Sequence, residues 1–152
     1  MEISVFNIAV CDDMKEITAQ LVQIAEQQSM KQIQTVKGFY SGGQLMEYMA
    51  KNNVDLLFLD IELGDMTGID ISRKIRKEDH NDTMQIVYMT GKEGYERELF
   101  DFQPLKCVNV LQWHMENGLS VSINFIIGNL IRFMQSALAE LFPLKLIKDI
   151  FS

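Results

Sequence analysis

The stretch Val54-Asp55-Leu56-Leu57-Phe58-Leu59-Asp60 decides the fold, because four consecutive apolar residues run directly into a carboxylate. Two asparagines precede the stretch and Gly64 follows it, so turn-forming residues bound it on both sides. A short apolar run bounded in this way is typical of a β-strand that is buried on both faces. The sequence therefore predicts a central parallel strand over residues 54–60, with Asp60 at its carboxyl end.

Segments of the same kind lie on either side of this strand. Three more strands are predicted at residues 3–10, 35–40 and 85–90. Between them, apolar residues recur at helical spacing, as in Ile17, Leu21 and Ile24, and Ser41 is a suitable helix N-cap. Strands that alternate with helices predict βαβ units, an α/β fold and a parallel sheet.

Reactive groups follow three of the predicted strands: Asp12 and Asp13, then Asp60, then Thr90. The carboxyl ends of parallel strands meet at one edge of a sheet, where ligands bind. Clustered carboxylates repel one another unless a cation lies among them, and hard oxygen ligands suit Mg²⁺. An aspartate can also act as a nucleophile towards phosphorus. The alternative interpretation is structural: Asp12 and Asp13 cap a turn, and Asp60 merely ends a strand.

Composition narrows the class of protein. The chain has 152 residues, a length that fits one domain with a hydrophobic core. Its formal net charge is −7. Residues 1–105 hold ten Lys or Arg and eighteen Asp or Glu, so we expect no direct nucleic-acid binding. Cys11 and Cys107 have no metal-type spacing, and no stretch resembles a signal peptide or a membrane span. These features predict a cytoplasmic protein.

The motifs occur in an order that resembles the response-regulator receiver domains of two-component systems, closest to the branch that carries a LytTR-type DNA-binding domain. The matching segments are residues 8–13 (IAVCDD), 39–42 (FYSG), 56–62 (LLFLDIE), 67–70 (TGID), 88–90 (YMT) and 98–105 (ELFDFQPL). The resemblance covers about residues 3–105. It implies a flavodoxin-like, doubly wound parallel sheet with strand order 2-1-3-4-5, in which the fifth strand lies near residues 106–111 and an extra C-terminal helix follows.

The resemblance also implies the roles of single residues. Asp60 is the expected phosphoacceptor, and Thr90 is expected to donate a hydrogen bond to the phosphoryl group. Asp12, Asp13, Asp60 and the backbone carbonyl of Glu62 are the expected Mg²⁺ ligands. The expected phosphodonor is a phosphohistidine on a sensor histidine kinase, and the chain itself is expected not to be an enzyme.

The sequence departs from the family pattern at two places, and both bear on whether the family's residue roles apply to this chain. The turn after the phosphoacceptor has Leu63-Gly64-Asp65 where the family usually has a proline, and Gly64 still allows a tight turn. The family also expects a lysine about twenty residues after the threonine, where Val110 stands here. Lys92 and Lys106 are candidate substitutes. We expect Mg²⁺ binding to survive and conformational switching to be impaired.

Residues 106–152 do not resemble the family and are too few for a LytTR-type domain. We expect a receiver domain over residues 1–111 and a divergent helical tail over residues 112–152. The tail completes the fold, or adds a dimerising helix, or results from a changed reading frame that truncated a LytTR-type regulator. Any homodimer is expected to use the face from Tyr95 to Pro104 or the C-terminal helix.

Two other classes of function compete with a phosphorylated receiver. A phosphatase with an aspartyl nucleophile, of the haloacid-dehalogenase kind, would need an Asp-x-Asp motif, whereas Asp60-Ile61-Glu62 stands here. A pseudo-receiver, an interaction module that does not switch, is favoured by the absent lysine and opposed by the complete set of acidic residues.

Overall fold

The computed structural model describes residues 6–27, 33–90, 102 and 106–109. Five strands and three α-helices alternate along this part of the chain. The elements are β1 (Phe6–Cys11), α1 (Lys15–Gln27), β2 (Ile33–Phe39), α2 (Gly42–Met49), β3 (Leu56–Asp60), α3 (Gly68–Arg73) with a π-helical turn (Lys74–Glu78), β4 (Gln85–Thr90) and β5 (Lys106–Asn109).

The strands form one parallel sheet in the order β2-β1-β3-β4-β5. This is the flavodoxin-like α/β topology that the sequence predicts, and the prediction is confirmed. The strand order reverses between β1 and β3, so the crevice at their carboxyl ends is the place where such sheets bind ligands.

The core lies on both faces of the central strands. The side chains of Ala9, Val10, Leu57 and Leu59 are fully buried, and Phe58 is 2% exposed. Apolar burial on two faces explains why β1, β3 and β4 read as continuous apolar runs rather than alternating ones. The edge strand β2 has no fully buried residue, which is why its apolar signal is weaker in the sequence.

Helix starts follow local capping chemistry. The Ser41 hydroxyl accepts a hydrogen bond from the backbone N–H of Gln44 at 3.2 Å, as its predicted N-cap role requires. At α3, Thr67 and Asp70 form a capping box, in which each side chain bonds the other's backbone N–H. Both caps hold a helix directly behind a loop at the carboxyl edge of the sheet.

The helical segment that begins at Gly68 is not α-helical throughout. It changes to a π-helical turn at Lys74, and the chain leaves it through His80, whose φ is 52°. The N–H of Asn81 donates to the carbonyl of Ile75 at 2.9 Å, which satisfies a carbonyl at the end of this turn. A π-helical hydrogen bond spans one residue more than an α-helical one. In so short a segment, the spacing of apolar residues in the sequence cannot distinguish the two.

Several predictions fall outside the described residues. They are residues 110–111 of the predicted fifth strand, the predicted C-terminal helix and the tail 112–152. The domain boundary at residue 111 therefore stays a prediction. Among the residues that the structure describes, no helix is long and apolar enough to cross a membrane.

Candidate functional site

Three carboxylates meet at the switch point of the sheet. Asp12 and Asp13 follow β1, and Asp60 is the last residue of β3, which pairs directly with β1. One carboxylate oxygen from each residue lies within 4.8 Å of the others. The predicted proximity of these side chains is therefore observed, and it follows from the register that sets Cys11 opposite Leu59.

The first carboxylate is fixed by the chain around it. Asp12 is 3% exposed, and its Oδ1 accepts a hydrogen bond from the backbone N–H of Met14 at 2.9 Å. Its own N–H donates to the carbonyl of Phe39 at 3.1 Å, and its carbonyl accepts from the Thr18 hydroxyl at 2.8 Å. Asp12 thus does stabilise a turn, as the structural interpretation holds, while its carboxylate remains part of the acidic cluster.

Asp60 is held by the loop that follows it. The N–H of Glu62 donates to Asp60 Oδ1 at 3.3 Å, and the N–H of Gly68 donates to the carbonyl of Ile61 at 2.7 Å. Gly68 approaches so closely that a Cβ there would lie 2.5 Å from the Asp60 carbonyl oxygen. The first residue of α3 must therefore be glycine if the loop is to close behind Asp60.

Burial and mutual repulsion make the ionised cluster unfavourable. Desolvation and the neighbouring carboxylate of Asp12 raise the pKa of Asp60 from 3.8 to about 7. Desolvation, with the charge of Asp13, raises the pKa of Asp12 from 3.8 to about 6. A divalent cation among three such oxygens would remove the repulsion, and this donor set fits Mg²⁺ better than a softer metal.

Cys11, immediately before the acidic pair, is not a reactive group. It is fully buried, and its thiol donates to the carbonyl of Ser41 at 3.5 Å. Burial and four nearby carboxylates raise the pKa of its thiol from 9.0 to about 12. The thiolate, which would be the nucleophile, is therefore not populated near neutral pH, and Cys11 is part of the hydrophobic core.

For Thr90 and Glu62, the other two predicted site residues, the backbone gives the position relative to Asp60. Thr90 ends β4 at the same edge as Asp60, next to Met89, which pairs with Asp60. Its side chain is outside the described part of the structure. Glu62 is exposed two residues after Asp60, and the role of its carbonyl as a metal ligand stays a prediction.

The register of β5 bears on the absent lysine. The Cα of Thr90 pairs with Asn109, whereas Lys106 pairs with Val87, three residues earlier on β4. Three residues along a strand span about 10 Å. This register argues against Lys106 as a substitute at the carboxyl edge, and Lys92 lies outside the described residues.

One contact at this edge escaped prediction. The carboxylate of Asp65, in the loop after Asp60, accepts hydrogen bonds from the N–H groups of Gly42 and Gly43 at 2.9 and 2.8 Å. Gly64 and Asp65 in the sequence indicate a turn, but nothing local points to partners more than twenty residues away. The contact between Asp65 and the start of α2 could be predicted only by first assuming the βαβ topology, which brings the two loops to the same edge of the sheet.

Comparison with known proteins agrees with this geometry. The family model of the response regulator receiver domain matches residues 8–102. The chain is 26% identical over 97 residues to "Sensory transduction protein LytT" of Oceanobacillus iheyensis, which covers 64% of this chain and 39% of that protein. The chain spans less than half the length of the curated relatives it matches.

Solved structures show the same fold. The response regulatory domain of mrkE from Klebsiella pneumoniae superposes with a TM-score of 0.70 at 18% identity, covering 86% of this chain and 99% of that one. TrrA from Thermotoga maritima, solved in complex with Mg²⁺ and BeF, gives a TM-score of 0.58 at 22% identity, covering 68% and 85%. With the family match over most of the described residues, these findings show that the chain belongs to the response regulator receiver domain family.

Proposed function

We propose that this receiver domain is phosphorylated on Asp60 in a Mg²⁺-dependent reaction. The observation that carries the proposal is the meeting of the Asp12, Asp13 and Asp60 carboxylate oxygens within 4.8 Å at the switch point of the sheet. Asp12, Asp13, Asp60 and the carbonyl of Glu62 would hold the ion, whose positive charge would neutralise the attacking carboxylate and the phosphoryl oxygens.

The reaction needs little more than positioning by the protein. A carboxylate oxygen of Asp60 forms the bond to phosphorus, the phosphorus–nitrogen bond of a phosphohistidine breaks, and the released imidazole keeps the electron pair and takes a proton. Asp60 is half-buried and its Oδ1 is already bonded to the N–H of Glu62, so the second oxygen can attack without a large rearrangement. Thr90, at the end of the neighbouring strand, would donate a hydrogen bond to the phosphoryl group.

The partner and setting follow from this role. We infer a sensor histidine kinase as phosphodonor, a cytoplasmic location and no turnover of substrates by the chain itself. The match to LytT supports a place in the LytTR branch. The chain is proposed not to bind nucleic acid, and any homodimer would use residues 95–104 or the C-terminal helix.

The test is a phosphorylation assay on the full chain. The chain is incubated with Mg²⁺ and acetyl phosphate, and its intact mass is measured. We expect a phosphate adduct that disappears in Asp60→Asn and with EDTA but persists in Asp55→Asn. Asp55 is a suitable control because it lies directly before β3, beyond the end opposite Asp60, where it accepts a hydrogen bond from the N–H of Asn7 at 2.8 Å. An equal adduct in Asp60→Asn would contradict the proposal.

A second candidate function, a receiver that does not switch, is favoured by one observation. Asn109 rather than a lysine pairs with Thr90 at the end of β5. Hydrogen exchange with and without Mg²⁺ and beryllofluoride distinguishes the two. Protection limited to the loops around Asp60 supports the module that does not switch, and protection that spreads beyond them supports a switching receiver.

A further inference from the structure

The loop between β3 and α3 is closed at its base and exposed at its tip. At the base, Glu62 and Thr67 form an antiparallel bridge, and the N–H of Gly68 donates to the carbonyl of Ile61. At the tip, Gly64 and Asp65 are exposed to solvent. The base, where the proposed metal ligand Glu62 lies, is thus closed within the loop, and contacts with other parts of the chain bear on the position of the tip.

Asp65 makes such a contact with a different part of the chain. Its two carboxylate oxygens accept from two successive N–H groups in the first turn of α2, Oδ1 from Gly42 at 2.9 Å and Oδ2 from Gly43 at 2.8 Å. These donors hold the pKa of Asp65 below its usual value, so the side chain is ionised at neutral pH. Together with the bond from Gln44 to Ser41, they satisfy the first three N–H groups of the helix.

The packing around this contact leaves little freedom. A Cβ on Gly42 would overlap the side chain of Met66, the residue after Asp65. A Cβ on Gly43 would lie 3.3 Å from Asp65 Oδ2, slightly closer than an ordinary contact, so the carboxylate would have to shift outwards by a small amount. Because Gly42 and Gly43 have no side chains, the loop can approach the start of α2 closely enough for both N–H groups to donate to Asp65.

The same helix start is tied to the other side of the acidic cluster. The carbonyl of Ser41 accepts from the thiol of Cys11, and the carbonyl of Phe39 accepts from the N–H of Asp12. A continuous set of hydrogen bonds therefore runs from the end of β1, through the start of α2, to Asp65 and the loop after Asp60. Asp65 thus links the two halves of the site.

We propose, on the basis of the proposed function, that Asp65 is a positioning residue for the magnesium site. Its carboxylate holds the loop carrying Glu62 against the start of α2, so the loop oxygens are in place before the ion arrives. Pre-positioned ligands bind a metal more tightly because less order must be imposed on binding, and the loss of a direct hydrogen-bond partner of a ligand typically costs about tenfold or more in metal affinity.

The competing interpretation is that Asp65 only caps α2. A cap contributes to the stability of the helix and leaves Mg²⁺ affinity unchanged. A matched control is Asp70, an exposed carboxylate in the same segment that caps α3 by accepting from the Thr67 hydroxyl at 2.8 Å. Asp65→Asn and Asp70→Asn remove the same charge and each disturbs one cap, but only the first disturbs the link to α2.

The experiment measures Mg²⁺ affinity by calorimetry on the full chain, together with the urea unfolding midpoint of each variant without Mg²⁺. We expect Asp65→Asn to weaken Mg²⁺ binding about tenfold and Asp70→Asn less than about threefold. Asp65→Glu, which keeps two acceptor oxygens, should recover part of the loss. In the wild type, Mg²⁺ should slow hydrogen exchange at the amides of Gly42 and Gly43, and this response should vanish in Asp65→Asn.

A second variant tests the same contact without a change of charge, so a weaker affinity cannot be attributed to a lost carboxylate. It also does not require that Asp65→Asn folds. Gly43→Ala leaves every charge in place, favours the helix by propensity and forces Asp65 Oδ2 outwards, so we expect about threefold weaker Mg²⁺ binding. Equal Mg²⁺ affinity in Gly43→Ala and the wild type, or in Asp65→Asn and Asp70→Asn, would overturn the inference alone. A wild type that binds no Mg²⁺ would overturn the proposed function and, with it, the inference.

Discussion

Replacing Asp60 by asparagine should stabilise the metal-free chain, although it removes the residue on which the function depends. Asp60 is half-buried beside Asp12 and Asp13, and its ionised form is opposed by desolvation and by both neighbouring charges. Asparagine has nearly the same shape, can still accept the hydrogen bond from the N–H of Glu62 and carries no charge. The substitution therefore removes an electrostatic cost without opening a cavity.

The size and sign follow from the pKa. The pKa of Asp60 rises from 3.8 to about 7 on folding, and each pKa unit is worth about 1.4 kcal/mol, so ionised Asp60 costs the folded chain on the order of 4 kcal/mol. Because the folded pKa is the higher one, stability is greatest below the unfolded pKa and is lost as pH rises towards and through about 7. Near pH 5 only about 2 kcal/mol of this cost remains, since Asp60 is then protonated in the folded state.

The assay is urea unfolding in EDTA between about pH 5 and about pH 8, comparing the wild type, Asp60→Asn and a control. Glu47→Gln is suitable as the control because it removes one carboxylate from the exposed surface of α2. We expect Asp60→Asn to be more stable than the wild type by about 4 kcal/mol at about pH 8 and by about half of that at about pH 5. A variant no more stable than the wild type at the higher pH, or a difference that grows towards the lower pH, would refute the electrostatic account.

Three further predictions concern neighbouring residues. Mg²⁺ at about one hundred times its dissociation constant should raise the free energy of unfolding of the wild type by about 2.7 kcal/mol, and Asp13→Asn should lose most of that gain in a thermal melt. Gly68→Ala should destabilise the chain by about 1–3 kcal/mol in urea, because its Cβ would meet the Asp60 carbonyl; an unchanged midpoint would show that the loop can move aside. Tyr88→Phe should cost about 1 kcal/mol in the same assay, since it removes the buried hydrogen bond between Tyr88 and Ser72, and a neutral result would show that this bond contributes nothing net.

The parts of the fold that follow from local apolar pattern were predictable from the sequence. The fourth strand was predicted at residues 85–90 and lies at Gln85–Thr90, because a fully buried parallel strand has both an apolar core and clear ends. The second strand was predicted two residues late, since an edge strand is half-exposed and its start lacks a turn signal. The π-helical turn after Arg73 was missed, because no local motif marks it; Ile75 and Arg76, which lie on this turn, are buried.

The acidic cluster was predictable for a different reason. The topology of a parallel sheet brings strand ends to one edge, so the positions of Asp12, Asp13 and Asp60 in the sequence were enough to infer their meeting. The support that Asp65 gives to this cluster was not predictable, because its partners are backbone N–H groups, which any residue except proline provides. The pattern of side chains in a sequence therefore indicates which groups perform chemistry, but it does not indicate which backbone contacts hold those groups in place.

The most direct test of the central claim is an anomalous diffraction experiment on crystals of the full chain grown with Mn²⁺ in place of Mg²⁺. The account predicts a single strong peak at the carboxyl edge of β1 and β3, about 2.0–2.3 Å from an oxygen of Asp13 and from an oxygen of Asp60. A well-ordered cluster with no peak, or with the ion bound elsewhere on the chain, would contradict it.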